Sequence, residues 1–195
     1  MNKIKLLPEF FLSSAILILI IPVKWLLCWM VAAMIHELFH ILALKVCGYE
    51  IFSVSVGALG AKIETDAECG LKSVFCALAG PVAGFLLLLF ARKIPGIALC
   101  GLVQSLANML PVFPLDGGRA LRNLLMLFLP VEYGNRIIRI IEYAVWIVLI
   151  VCSVYGMVKI RLGILPLISV LLMFLRKKYL AINSGWEYNN GNAYK

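Results

Sequence analysis

The chain has 195 residues, of which 63% are hydrophobic and 14% charged, against about 45–50% and about 25% in an ordinary soluble domain. That composition excludes a soluble globular protein and a disordered tail. The net charge of +8 does not point to a nucleic acid, because the basic residues are scattered between long apolar runs and form no patch with interleaved aromatics.

Crossing the hydrocarbon core as a helix takes about 20 apolar residues, with about 17–25 tolerated, and on that measure the chain reads as six spans. In order they are Glu9–Val23, Lys24–Leu44, Leu71–Ala91, Pro95–Leu115, Ile140–Val158 and Leu162–Leu175. The first and sixth are short and need tilt or local thinning of the bilayer. The first is not read as a signal peptide, since no small-residue cleavage site precedes Lys24 and the next apolar run follows at once. After the second span, Phe52 to Ala58 alternates apolar and small polar residues at the period of a strand. This segment is either a cytoplasmic loop or a strand at the membrane surface, whose edge could pair with an extended peptide. The expected fold class is an all-α polytopic membrane protein of about six transmembrane helices with that one strand-like segment. Residues 1–180 form its intramembrane domain and residues 181–195, rich in Asn, Gly and Tyr, a short exposed tail. The six cysteines, at 28, 47, 69, 76, 100 and 152, form no CxxC pair and read as small apolar packing residues.

Lys and Arg are retained on the cytoplasmic side of a membrane. With the N-terminus inside, thirteen of the 18 basic residues fall on inner segments, and Lys24, Arg92, Lys93, Lys159 and Arg161 fall outside. Both termini are therefore expected in the cytoplasm, and topology accounts for the basic excess.

The second span carries His36-Glu37-Leu38-Phe39-His40, which includes both histidines of the protein. Residues four apart on a helix share a face and lie about 6 Å apart along the axis, so both imidazoles can reach one metal. Glu37 is offset by about 100° and can hold a water without ligating. Ionisable residues in a span are costly and functional by default. By helix rise, His36 stands about 18 Å from Lys24 and His40 about 7 Å from Lys45, which puts the metal below the cytoplasmic surface. Catalytic zinc usually takes three protein ligands and keeps a fourth position for water. A third ligand is sought at the end of the fourth span, Asn108-Met109-Leu110-Pro111-Val112-Phe113-Pro114-Leu115-Asp116-Gly117-Gly118. Two prolines break the helix there, and Asp116 comes down on the same side as His40. Its carboxylate could close the site, or it could be the N-cap of a helix from Gly117 to Phe128. Asn108 offers an amide to a carbonyl oxygen or oxyanion.

His36-Glu37-x-x-His40 on one span, Gly80-Pro81 in the next, and Asn108-x-x-Pro111 with Pro114-Leu115-Asp116-Gly117-Gly118 on the following one together resemble the site-2 protease family of intramembrane metalloproteases. The resemblance covers about Lys24 to Leu125. It implies zinc held by His36, His40 and Asp116, Glu37 as the catalytic base and Asn108 in the substrate-binding region. In layout the chain is similar to the sporulation branch that processes a membrane-associated pro-sigma factor, which implies a bacterial inner membrane. Where the family often has Asn three residues after the Gly-Pro, this chain has Gly84. No regulatory domain of the cystathionine-beta-synthase type and no PDZ insertion is expected.

The reaction expected is hydrolysis of a peptide bond in or beside a transmembrane segment of a membrane-protein substrate. Two alternatives stay open. One is a prenyl-peptide-processing zincin, whose third ligand would be Glu142 or Glu132. The other is a metal carrier or a non-catalytic scaffold.

Overall fold

The computed structural model describes residues 3–6, 21–57, 60–66, 70–159 and 170–171. It is mostly helical and divides after Met109 into two compact units.

The first unit holds β1 (Lys3–Leu6), α1 (Val23–Val46), β2 (Ile51–Gly57), β3 (Gly60–Thr65), α2 (Leu71–Leu87) and α3 (Pro95–Asn108). A 3-10 turn over Leu88–Phe90 extends α2. Between Pro22 and Cys47 no proline or glycine interrupts the apolar run, so α1 continues for 24 residues, about 36 Å. It stops at Gly48, which takes the left-handed φ of 83°. The Tyr49 amide donates to the Leu44 carbonyl at 3.0 Å and the Gly48 amide to Lys45 at 3.1 Å. These are the two bonds that satisfy a helix's last carbonyls when the chain reverses through glycine. Immediately beyond, β2 begins.

The helices α1, α2 and α3 of this unit pack through small side chains. Ala43 and Leu44 of α1 meet Cys76 and Ala79 of α2, and Ala32 meets Leu87 and Cys100. Between α2 and α3 the approach is closer still, since a Cβ on Gly84 would run into Ser105 Oγ and the Gly101 carbonyl oxygen. Lipid supplies no hydrophobic drive for helix association, so small residues that bring backbones together do that work. The unit's strands make one sheet in the order β1-β2-β3, with β1 parallel and β3 antiparallel to β2 and an irregularity between Ile51 and Ser53.

The second unit opens with the proline-containing segment 110–115 and continues with α4 (Asp116–Phe128) and α5 (Val131–Lys159). The buried residues of α5 are Gly134, Ile138, Glu142, Trp146, Ser153 and Gly156, a stripe at helical spacing. Its other faces carry exposed Tyr143, Ile147, Val151 and Val158.

Among the described residues, three helical stretches are long and apolar enough to cross a membrane, namely Val23–Val46, Leu71–Phe90 and Val131–Lys159. The expected first and sixth spans, apart from residues 21–23 and 170–171, and the tail at 181–195 lie outside the described residues. Two expected spans differ from what forms. The one placed at Pro95–Leu115 is a helix of only 14 residues ending at Asn108; Pro111 and Pro114 cannot donate helical hydrogen bonds. The one placed at Ile140–Val158 starts at Val131 and runs for 29 residues; Pro130, just ahead of the first turn, starts it there. Strictly all-α was too narrow, because the sheet takes in residues 3–6 and 60–65 as well as the strand-like segment.

Candidate metal centre

In the middle of α1 the helical repeat sets His36 and His40 on one face, and the packing of α2 and α3 against that face encloses them. His36 is buried and His40 half-buried. Their rings meet edge to face, with centroids 4.9 Å apart and planes at 80°. The Nε2 atoms are 3.3 Å apart. Two nitrogens at about 2.0–2.1 Å from one tetrahedral zinc stand about 3.3–3.4 Å from each other, so the pair already has the spacing of two corners of a zinc tetrahedron.

The tautomer needed for that role is fixed from the opposite side of the ring. His40 Nδ1 lies 2.8 Å from the Cys76 carbonyl oxygen in α2. A carbonyl can only accept, so Nδ1 carries the proton and Nε2 is left with its lone pair. Orientation of a ligating imidazole by a carbonyl at its other nitrogen is a recurrent feature of metal sites.

Gly80 adds a steric condition. A Cβ there would lie 2.6 Å from His36 Nε2 and closer still to His40 Nε2. The backbone of α2 therefore lies directly over the two nitrogens, and only glycine leaves them clear. Asn108 ends α3 beside the same pair, its Nδ2 3.4 Å from His36 Nε2. Glu37 follows His36 on α1 and is half-buried.

Of the expected site residues, His36, His40 and Asn108 are thus brought together within the first unit, with Glu37 adjacent in the chain. Asp116 belongs to the second unit, where it is buried at 7% exposure. It is not the N-cap. Leu115, with φ −70° and ψ 161°, precedes the helix and Asp116 is the first helical residue. Glu142, the alternative ligand, lies in the middle of α5 and accepts a hydrogen bond from the Phe113 amide at 2.9 Å. Sequence reasoning assigned no role to the Cys76 carbonyl, and a backbone acceptor has no residue-type signature by which to find it. Gly80 entered only through the Gly80-Pro81 motif, and a Gly-Pro pair in mid-span was the available signal.

No protein-family model matches the chain, and no curated protein is similar to it. Among solved structures it is similar to the "Site-2 Protease from Methanocaldococcus jannaschii", at 23% identity over 84% of this chain and 85% of that one, with a TM-score of 0.61. At that identity the likeness shows the fold. The chain has a site-2-protease-like fold, carrying a histidine pair suited to a metal.

Proposed function

We propose that the protein is an intramembrane zinc metalloprotease of the site-2 type, cleaving a peptide bond within or next to a transmembrane segment of a membrane-protein substrate. The observation that carries the reading is the His36–His40 pair, with facing Nε2 atoms at zinc-ligand spacing and Gly80 leaving room above them. With Asp116 as the third ligand, as the resemblance of its motif implies, the donor set would be two imidazoles and a carboxylate. Such a set suits zinc and leaves a coordination position for water. When bound, zinc supplies an acidified water and a polarised scissile carbonyl.

The chain's own residues do the rest. Glu37 takes the proton of the attacking water and returns it to the leaving amine. Asn108 donates its amide to the substrate carbonyl oxygen as negative charge develops there. The Cys76 carbonyl holds the His40 ring so that Nε2 stays available. A transmembrane helix hides its backbone, so the substrate unwinds before attack; β2 is paired on both sides, by β1 and β3, so an extended substrate would pair at an outer edge of the sheet and not with β2 itself. The bilayer is the working environment, with both termini on the cytoplasmic side. A membrane-tethered transcription or sigma factor, including one of sporulation, suits a site opening to that side.

The test is co-expression with candidate single-span substrates, comparing the parent protein with Glu37→Gln. The variant loses cleavage by about 10²–10⁴-fold while keeping its zinc stoichiometry. Residual turnover near that of the parent would remove Glu37 from the reaction, and loss of zinc would give it a structural role instead.

A further inference from the structure

Glu142 is a carboxylate that this reaction does not use. It is only 2% exposed and sits within α5, a helix apolar enough to cross a membrane. A buried acid in such a helix is costly unless it serves something.

What it serves can be found by following the backbone donors of residues 111–115. Pro111 and Pro114 have none. The Val112 amide donates to the Leu110 carbonyl at 2.8 Å and the Leu115 amide to Val112 at 2.9 Å. The Phe113 amide alone leaves the segment, and it donates to Glu142 Oε1 at 2.9 Å. Three residues later comes Asp116. The first turn of α4 is seated on the same segment, because a Cβ on Gly118 would lie 2.5 Å from the Val112 carbonyl carbon. Two short backbone turns, a glycine contact and a side chain from another helix thus help to fix the path of the chain into Asp116.

We propose that Glu142 is a positioning residue, which holds the Phe113 amide and thereby sets where Asp116 presents its carboxylate to the metal. The proposal rests on the reading of Asp116 as a zinc ligand. Without an acceptor at 142 the Phe113 amide loses the hydrogen bond that Glu142 gives it. Irregular backbone at membrane depth persists only where its polar groups are satisfied, so the segment shifts and Asp116 moves with it. What the position needs is an acceptor oxygen, which glutamine also supplies.

The experiment measures zinc affinity by chelator competition on full-length protein in detergent, for the parent, Asp116→Ala, Glu142→Gln and Glu142→Leu. Each sample is checked for monodispersity and helical content. Glu142→Gln is expected to bind zinc as the parent does. Glu142→Leu is expected to bind about 10–100-fold more weakly, the range for losing a group that orients a metal ligand, and its cleavage falls through kcat with little change in KM. If the leucine variant does not purify in folded form, Glu142→Met is read in its place. Parent-like affinity in the apolar variant overturns the proposal. So does a glutamine variant as weak as the apolar one, which would make the carboxylate itself the required group. Zinc retained in Asp116→Ala is a separate result, and overturns the ligand reading on which the proposal stands.

Discussion

Gly80 and His40 illustrate how little material the centre needs. The lone pair on His40 Nε2 exists because Cys76 accepts the proton on Nδ1, and access to it exists because residue 80 has no side chain. A methyl group at 80 overpacks the nitrogens, at a cost of about 1–3 kcal/mol, or about 5–150-fold in affinity. Gly80→Ala is therefore expected to fold normally and to release zinc to a chelator at correspondingly lower concentration. Parent-like retention would mean that α2 does not lie over the pair. The facing of His36 and His40 was legible in the sequence, since two histidines four apart on an apolar helix share one face and are costly in lipid unless they bind something. The carbonyl at Cys76 and the acceptor at Glu142 were not, because both roles depend on which helices become neighbours. Glu142 looked like an alternative ligand for the same reason that it works as an anchor, namely that it is a carboxylate in a span.

Among the elements, α2 does most to organise the first unit. It touches α1 through Cys76 and Ala79 and approaches α3 at Gly84. A side chain at 84 must push α3 away, since the obstruction includes the Gly101 carbonyl as well as the mobile Ser105 hydroxyl. Gly84→Ala is expected to destabilise the protein by about 1–3 kcal/mol, read as a lower midpoint in denaturing-detergent titration, with cleavage reduced because Asn108 rides on α3. An unchanged midpoint would indicate looser packing at this contact. Sequence periodicity located α1 and α2 to within a few residues, because long apolar runs leave no choice of element. It overran α3, since the span was carried on to Leu115 although Pro111 and Pro114 break the helix, which ends at Asn108. It also could not supply the pairing of β1 with β2, a contact between residues about fifty apart.

For the whole molecule the charge distribution and the apolar exterior make one joint prediction. Trp25, Leu27, Met34, Leu38 and Leu42 of α1 are exposed, as are Leu89 and Phe90 after α2 and Ile147, Val151 and Val158 of α5. Surface of that kind is stable only against lipid or detergent. The protein should remain in the pellet when membranes are washed with alkaline carbonate. The half-buried Cys47, just after α1, should resist a membrane-impermeant thiol reagent in intact cells and react once the inner face is opened. Labelling from outside would invert the orientation and move the metal towards the opposite surface.

The closeness of α2 to the histidine nitrogens also has a stereochemical consequence. A backbone laid over one side of a metal centre shuts that side to any reactant, so a peptide can approach only across the remaining sector. A one-sided approach distinguishes the two faces of a carbonyl and the two directions in which a strand can run past it. Cleavage should therefore be sensitive to chain polarity. A peptidomimetic carrying the substrate's side chains on a reversed backbone should compete poorly with one in the natural direction, although the two are alike in hydrophobicity and size.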